Sequence, residues 1–122
     1  MIMLEHRPSG EFDLIRLTGR LGGDDVGDVS ARLVDILDRG PGIVHLDLGA
    51  LSFLDTGGLA AVISLFKRAR RRGGDVILYD VNARVRALLE LSRLHEIFEI
   101  RESAAHASST PPALASMSRS SN

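Results

Sequence analysis

The alternation of apolar and polar positions divides the chain into short segments with two different periods. Ile2 to Arg7 predicts a strand, Pro8-Ser9-Gly10-Glu11 a turn, and Phe12 to Thr18 a second strand rich in β-forming residues. Two strands joined by a short Pro/Gly turn predict an antiparallel hairpin. Gly19 to Gly23, with three glycines, predicts a loop. The period then changes. Val26, Val29, Leu33, Ile36 and Leu37 fall on one helical stripe, which predicts a helix from an N-cap at Asp24 or Asp25 to about Asp38. Arg39-Gly40-Pro41-Gly42 stops it, and Ile43 to Leu48 predicts a third strand.

Gly49 to Asp55 predicts a loop. Leu59, Val62, Ile63, Phe66 and Ala69 form the stripe of a second helix, beginning around Thr56–Gly58 and ending near Arg72 before Gly73-Gly74. Asp75 to Val81 predicts a buried parallel strand, apolar through Val76-Ile77-Leu78-Tyr79. Asn82 is the N-cap of a third helix carrying Val85, Leu88, Leu89 and Ser92, and Glu96 to Ile100 predicts a short last strand.

The order β-β-α-β-α-β-α-β implies an α/β fold. Its expected form is a mixed, mainly parallel sheet of about five strands, with an N-terminal antiparallel hairpin and helices packed on it. Residues 1–102 make one domain. Residues 103–122 contain seven serines, the pair Pro111-Pro112 and one charged residue, Arg119. Without sustained apolar periodicity, this Ser/Pro/Ala-rich segment is expected to be a disordered tail with a short helical start at 103–107.

Composition removes several function classes. At 122 residues the chain suits one domain, which buries roughly two thirds of its unfolded surface. With 44% hydrophobic and 25% charged residues it has a globular balance. Lys+Arg 15 against Asp+Glu 16 argues against direct nucleic-acid binding, and four Phe with one Tyr supply little base stacking. There is no cysteine, so disulfides, thiolate nucleophiles and thiolate metal sites are excluded. The apolar runs fall far short of the roughly 20 residues that span a bilayer, and no signal-peptide pattern is visible. No membrane insertion is expected, and the expected address is cytoplasmic.

Candidate chemistry is sparse. His6, His45, His95 and His106 have no metal-ligand spacing, although His45 and Asp47 share a strand face and could pair. Asp24, Asp25 and Asp28 lack the spacing of a calcium loop and suit the positive end of a helix. Lys67, Arg68, Arg70, Arg71 and Arg72 invite phosphate or anionic lipid, but cations also favour a helix C-terminus, and that reading is preferred. Gly19 to Gly23 superficially suits a phosphate cradle without the full G-x-G-x-x-G pattern. No catalytic constellation, metal or cofactor is expected. The informative segment is Leu51-Ser52-Phe53-Leu54-Asp55-Thr56-Gly57-Gly58-Leu59, where capping groups and glycines open an apolar-striped helix. Its glycines either admit a partner or an anion to the helix end or merely form a tight turn; composition does not choose.

Leu46-Asp47-Leu48, Phe53-Leu54-Asp55-Thr56-Gly57-Gly58-Leu59, Lys67-Arg68-Ala69 and Arg72-Gly73-Gly74 together resemble the core of STAS domains, which include bacterial anti-sigma-factor antagonists. Val81 to Leu91 and Leu94 to Phe98 resemble that family as well, so the likeness spans roughly residues 2–100. The resemblance implies a STAS fold and a binding module rather than an enzyme. Its partner would be an anti-sigma factor that is also a serine-kinase-like ATPase, and its binding would release a sigma factor and so regulate transcription. The implied contact surface is Asp55, Thr56, Gly57, Gly58 and Leu59 with Gly22, Gly23, Asp24 and Asp25. In the family a serine or threonine opening the second helix is phosphorylated, usually third in Asp-Ser-Ser/Thr-Gly. Here Gly57 holds that place and Thr56 precedes it, so a switch at this position is not expected, and Thr56 is the phosphorylation candidate that is left. A second departure is Gly19-Arg20-Leu21-Gly22, where the family often has an acidic residue after the hydrophobic one. The alternative implied by the resemblance is a STAS subunit of an ABC-type lipid transporter, partnered by the transporter's ATPase.

Overall fold

In a computed structural model that describes residues 1–102, the predicted hairpin forms between β1 (Ile2–Pro8) and β2 (Asp13–Leu21). They pair antiparallel from Ile2 opposite Gly19 to Pro8 opposite Asp13. The remaining elements are α1 (Asp25–Arg39), β3 (Ile43–Asp47), β4 (Leu51–Leu54), α2 (Thr56–Arg71), β5 (Asp75–Tyr79), α3 (Ala83–Leu91), a 3₁₀ turn at Leu94–Glu96 and β6 (Glu99–Arg101). One six-stranded sheet runs β1-β2-β3-β5-β6, and β4 branches from β2. All pairings after the hairpin are parallel. The expectation for 103–122 falls outside the described residues.

Strand alternation sorts the side chains. Ile15, Leu17 and Leu21 of β2, Val44 and Leu46 of β3, and Val76 and Leu78 of β5 point to one face, where Val29, Leu33 and Leu37 of α1, Leu59, Val62 and Leu65 of α2, and Val85 and Leu89 of α3 meet them in a single core. The opposite face carries a smaller cluster of Ile77 and Tyr79 with Leu14 and Ile43. The helices of the described residues therefore lie on one side of the sheet.

Two predicted boundaries are corrected. The segment read as a loop over Gly49 to Asp55 contains β4, and β2 continues past Thr18 to Leu21. The two corrections share one cause. Gly19, Arg20 and Leu21 pair with Leu51, Phe53 and Leu54, with a shift in register between Gly19 and Arg20. β4 is a strand only because the end of β2, about thirty residues away, pairs with it, and that end of β2 is held on its other side by the start of the chain, where the Arg20 N–H donates to the Met1 carbonyl. At Gly19 φ is +107°, and an added Cβ would meet the carbonyl of Met1, so glycine is required there. The last strand is also shorter than expected: Leu94–Glu96 forms the 3₁₀ turn, and Phe98 is buried against Phe66 with ring centroids 4.7 Å apart.

Candidate functional site

The parallel strands end on one edge of the sheet, and α2 begins there. β4 leads straight into Asp55, which has extended backbone geometry, while Thr56 starts the helix. The Asp55 carboxylate accepts the Gly58 N–H at 2.8 Å on one oxygen and the Gly23 N–H at 3.0 Å on the other. Its backbone N–H donates to the Leu21 carbonyl at 3.2 Å, and its carbonyl accepts the Leu59 N–H at 2.9 Å. One residue thus caps α2 and ties the β2–α1 loop to it. The N–H groups of Gly58 and then Gly23 hold the Asp55 carboxyl below its ordinary range, so it stays a carboxylate well into acid.

Glycines make this closeness possible. A Cβ on Gly22 would sit 2.6 Å from the Asp55 carboxylate, and one on Gly58 would sit 2.5 Å from the Leu21 carbonyl oxygen. Gly57 differs. A Cβ there would meet Asp55 Oδ1 at 3.4 Å and Val26 Cγ2 at 3.7 Å, which is ordinary contact. Thr56 and Gly57 are exposed, whereas Gly58 and Leu59 are buried. The start of α2 is therefore a fixed backbone surface with few side chains, and position 57 has unfilled space outside it.

The structure brings most of the sequence-predicted residues together. Asp55 to Leu59, Gly22 and Gly23 form one cluster. Asp24 and Asp25 lie at the start of α1 beside it, but neither acts as a side-chain cap. Asp24 occupies the N-cap position with helical backbone angles and no capping hydrogen bond, and Asp25 pairs with the N-terminal ammonium at 3.5 Å. Asn82 does cap α3, accepting the Val85 N–H at 2.9 Å, and its amide donates to the Leu51 carbonyl at 2.7 Å. That second bond fastens α3 to β4. Leu21 and Arg20, placed by the strand register, and Val26, placed by the first turn of α1, also belong to the site, and the sequence pattern does not mark them as site residues. The Arg20 guanidinium lies 4.1 Å over the Phe53 ring.

Other candidates resolve into structural roles. His45 and Asp47 do not pair. His45 stacks on Phe12 with ring centroids 3.9 Å apart and lies near Tyr79, while buried Asp47 accepts from Arg16 Nε at 3.1 Å and from the Gly49 N–H at 2.9 Å. Burial, with Arg101 adding repulsion, pushes the His45 imidazole below its ordinary value. In the basic run of α2, Arg68 forms a bidentate pair with Asp38, Arg72 reaches Asp38 and the Leu37 carbonyl, and Arg70 lies 3.5 Å from Asp75. These arginines fasten the C-terminal ends of α1 and α2. The Gly19–Leu21 part of the suggested phosphate cradle is strand, leaving Gly22-Gly23 as the loop. Among the described residues no group of His, Cys, Asp and Glu could hold a metal ion, and no helix is long and apolar enough to cross a membrane.

Comparison with known proteins agrees with this architecture. The STAS domain pattern matches residues 4–107. BtrV of Bordetella bronchiseptica, which bears the name of an anti-sigma factor antagonist, is 32% identical over 97 residues, covering 77% of this chain and 84% of BtrV. The intermembrane phospholipid transport system binding protein MlaB of Escherichia coli is 42% identical over 53 residues, 43% of this chain and 55% of MlaB. The crystal structure of an anti-sigma factor antagonist from Mycobacterium paratuberculosis superposes with a TM-score of 0.78 at 15% identity, covering 89% of this chain and 92% of that one, and so shares the fold. With the pattern spanning most of its length and a relative aligned across 84% of its own, the chain belongs to the STAS domain family.

Proposed function

We propose that this chain is an anti-sigma-factor antagonist, a regulatory binding protein of the cytoplasm rather than an enzyme. It binds an anti-sigma factor through the start of α2 and so frees a sigma factor. The observation that carries this reading is the alignment with BtrV across 84% of that relative, in a chain whose helix start is a fixed, exposed backbone surface. The contact surface centres on Asp55, Thr56, Gly57 and the Gly22–Asp25 loop, with Gly58 and Leu59 holding the helix against the core. The partner is of the serine-kinase-like ATPase kind.

The partner's kinase chemistry finds no hydroxyl at position 57. Thr56 is exposed, but it stands one position before the place the family resemblance gives the acceptor, and side chains at neighbouring helix positions point in different directions. We therefore read the complex as one that is not switched by phosphorylation at the start of α2. A phosphorylated product formed with kinase and ATP, and lost in Thr56→Ala, would overturn this part.

MlaB supports a second reading, in which the chain serves as the STAS subunit of a lipid-transport ATPase. Its 42% identity over 53 residues favours this, although the chain spans about half of MlaB. Affinity capture with the full chain from its native host separates the two, with Gly57→Gln as the surface-blocked control. Recovery of an anti-sigma factor by the wild type alone is the expected result. Recovery of a transporter ATPase after membrane-preserving lysis would transfer the assignment to the second reading, and recovery of neither would defeat both.

A further inference from the structure

Beside the start of α2 lies an apolar groove of about 310 Å³, walled by Phe53 and Leu54 of β4 and by Arg84, Ala87, Leu88 and Leu91 of α3. Helical spacing explains why α3 has a second apolar stripe. At 100° per residue, Val85 and Leu89 point into the core, while Arg84, Ala87, Leu88 and Leu91 share a neighbouring face and Arg86 and Glu90 point away. Leu91 is 84% exposed, which is unusual for a leucine next to other apolar side chains.

The rim of the groove is basic. Arg20 lies over the Phe53 ring at one wall, and Arg84 lines the other. Seven arginines of the described residues pair with carboxylates; Arg20 and Arg84, like Arg7, Arg32, Arg71 and Arg86, have none within ion-pair distance, and of these six it is Arg20 and Arg84 that edge the groove. The nearest acid in sequence to the β4 wall, Asp55, is engaged by the N–H groups of Gly58 and Gly23. An apolar floor edged by unneutralised guanidinium groups complements an apolar segment flanked by carboxylates. The groove holds only a few side chains and is walled by two elements, so it suits one face of a helix laid across it better than an enclosed small molecule.

The geometry points to this groove as a second docking surface of the same partner: it receives an amphipathic, acid-flanked helical segment of the anti-sigma factor, continuous with the surface at Thr56. This rests on the function proposed above. The β4 wall runs directly into Asp55 and Thr56, so one partner can cover both.

The test is a calorimetric titration of the full chain with the anti-sigma factor recovered by capture, comparing wild type, Leu91→Ser, Arg84→Glu and Gly57→Gln. Leu91→Ser and Arg84→Glu are each expected to raise Kd at least tenfold. The Arg84→Glu loss should shrink as salt is raised, because an exposed charge contact is screened. Thermal melts should be unchanged for both, since each side chain lies outside the core. If both variants bind within twofold of wild type while Gly57→Gln is weakened, the groove proposal falls and the parent reading stands. If the wild type does not bind that protein, both fall. Sedimentation of the chain alone gives the remaining outcome: a dimer that Leu91→Ser dissociates would make a second copy the occupant and overturn the proposal.

Discussion

Gly57 and Gly58 are adjacent in one helix turn, and the structure assigns them opposite responses to the same substitution. Alanine is about 1 kcal/mol better than glycine within a helix, and somewhat less at its first turn. At Gly57 nothing opposes that gain, because the new methyl group makes only ordinary contacts with Asp55 Oδ1 at 3.4 Å and Val26 Cγ2 at 3.7 Å. Gly57→Ala should stabilise the domain by about 0.5 kcal/mol, raising Tm by roughly 2–4 °C for a chain of this size. At Gly58 the methyl group would lie 2.5 Å from the Leu21 carbonyl oxygen, 2.8 Å from Leu54 Cδ1 and 3.0 Å from Leu21 Cγ. Leu54 is a flexible side chain and can yield. The Leu21 carbonyl cannot yield without weakening the hydrogen bond it accepts from the Asp55 N–H. Overpacking of this kind costs about 1–3 kcal/mol, and the strained hydrogen bond adds about 1 kcal/mol. Even after the gain in helix propensity, Gly58→Ala should lose about 1–3 kcal/mol, or roughly 5–15 °C in Tm. Urea unfolding with a common m-value measures both differences. A Gly58→Ala protein as stable as wild type would refute the claim that α2 starts in van der Waals contact with the end of β2.

Other consequences are equally direct. Asn82→Ala removes both the α3 cap and the bond to the Leu51 carbonyl, and should cost about 2 kcal/mol in urea unfolding. The His45 imidazole is depressed by burial, so below about pH 6.5 the unfolded chain takes up a proton before the folded one does. Stability is therefore complete above that pH and declines as pH falls toward the folded-state value. His45→Gln should flatten this decline between pH 7.5 and 5.5, and an unchanged slope would assign it to other groups. Gly57→Ser has room for its side chain and places a hydroxyl at the position that the family resemblance implies for the acceptor. Incubation with the partner kinase and ATP should add one phosphate to this variant and none to wild type, as read by intact mass.

Much of the fold was legible because local patterns and tertiary packing agree. The stripe of Val29, Leu33 and Leu37 is the buried face of α1, and Asn82 caps α3 as its spacing from Val85 implies. What escaped was non-local. β4 is four residues long, follows Gly49-Ala50 and is strand only through its pairing with Gly19–Leu21. Asp24 suited an N-cap by residue type, yet its helical backbone angles turn the side chain away from that task. His45 and Asp47 share a strand face, but Phe12, just before β2, and Tyr79 of β5 flank His45, while Arg16 of β2 and the Gly49 N–H engage Asp47. At the site, residue types suggested capping at Asp55, and the family resemblance placed Gly22 and Gly23 near it. Only the structure shows one carboxylate joining the two loops, or the difference in free space between Gly57 and Gly58.

The central claim is that the exposed start of α2 binds an anti-sigma factor and thereby releases sigma factor. The direct measurement is to titrate the full chain into a preformed complex of the captured anti-sigma factor with its sigma factor and follow free sigma factor by size-exclusion chromatography. Wild-type chain should release it in proportion to the chain added, and folded Gly57→Gln should release far less. No release at saturating wild-type chain, or equal release by Gly57→Gln, would contradict the account.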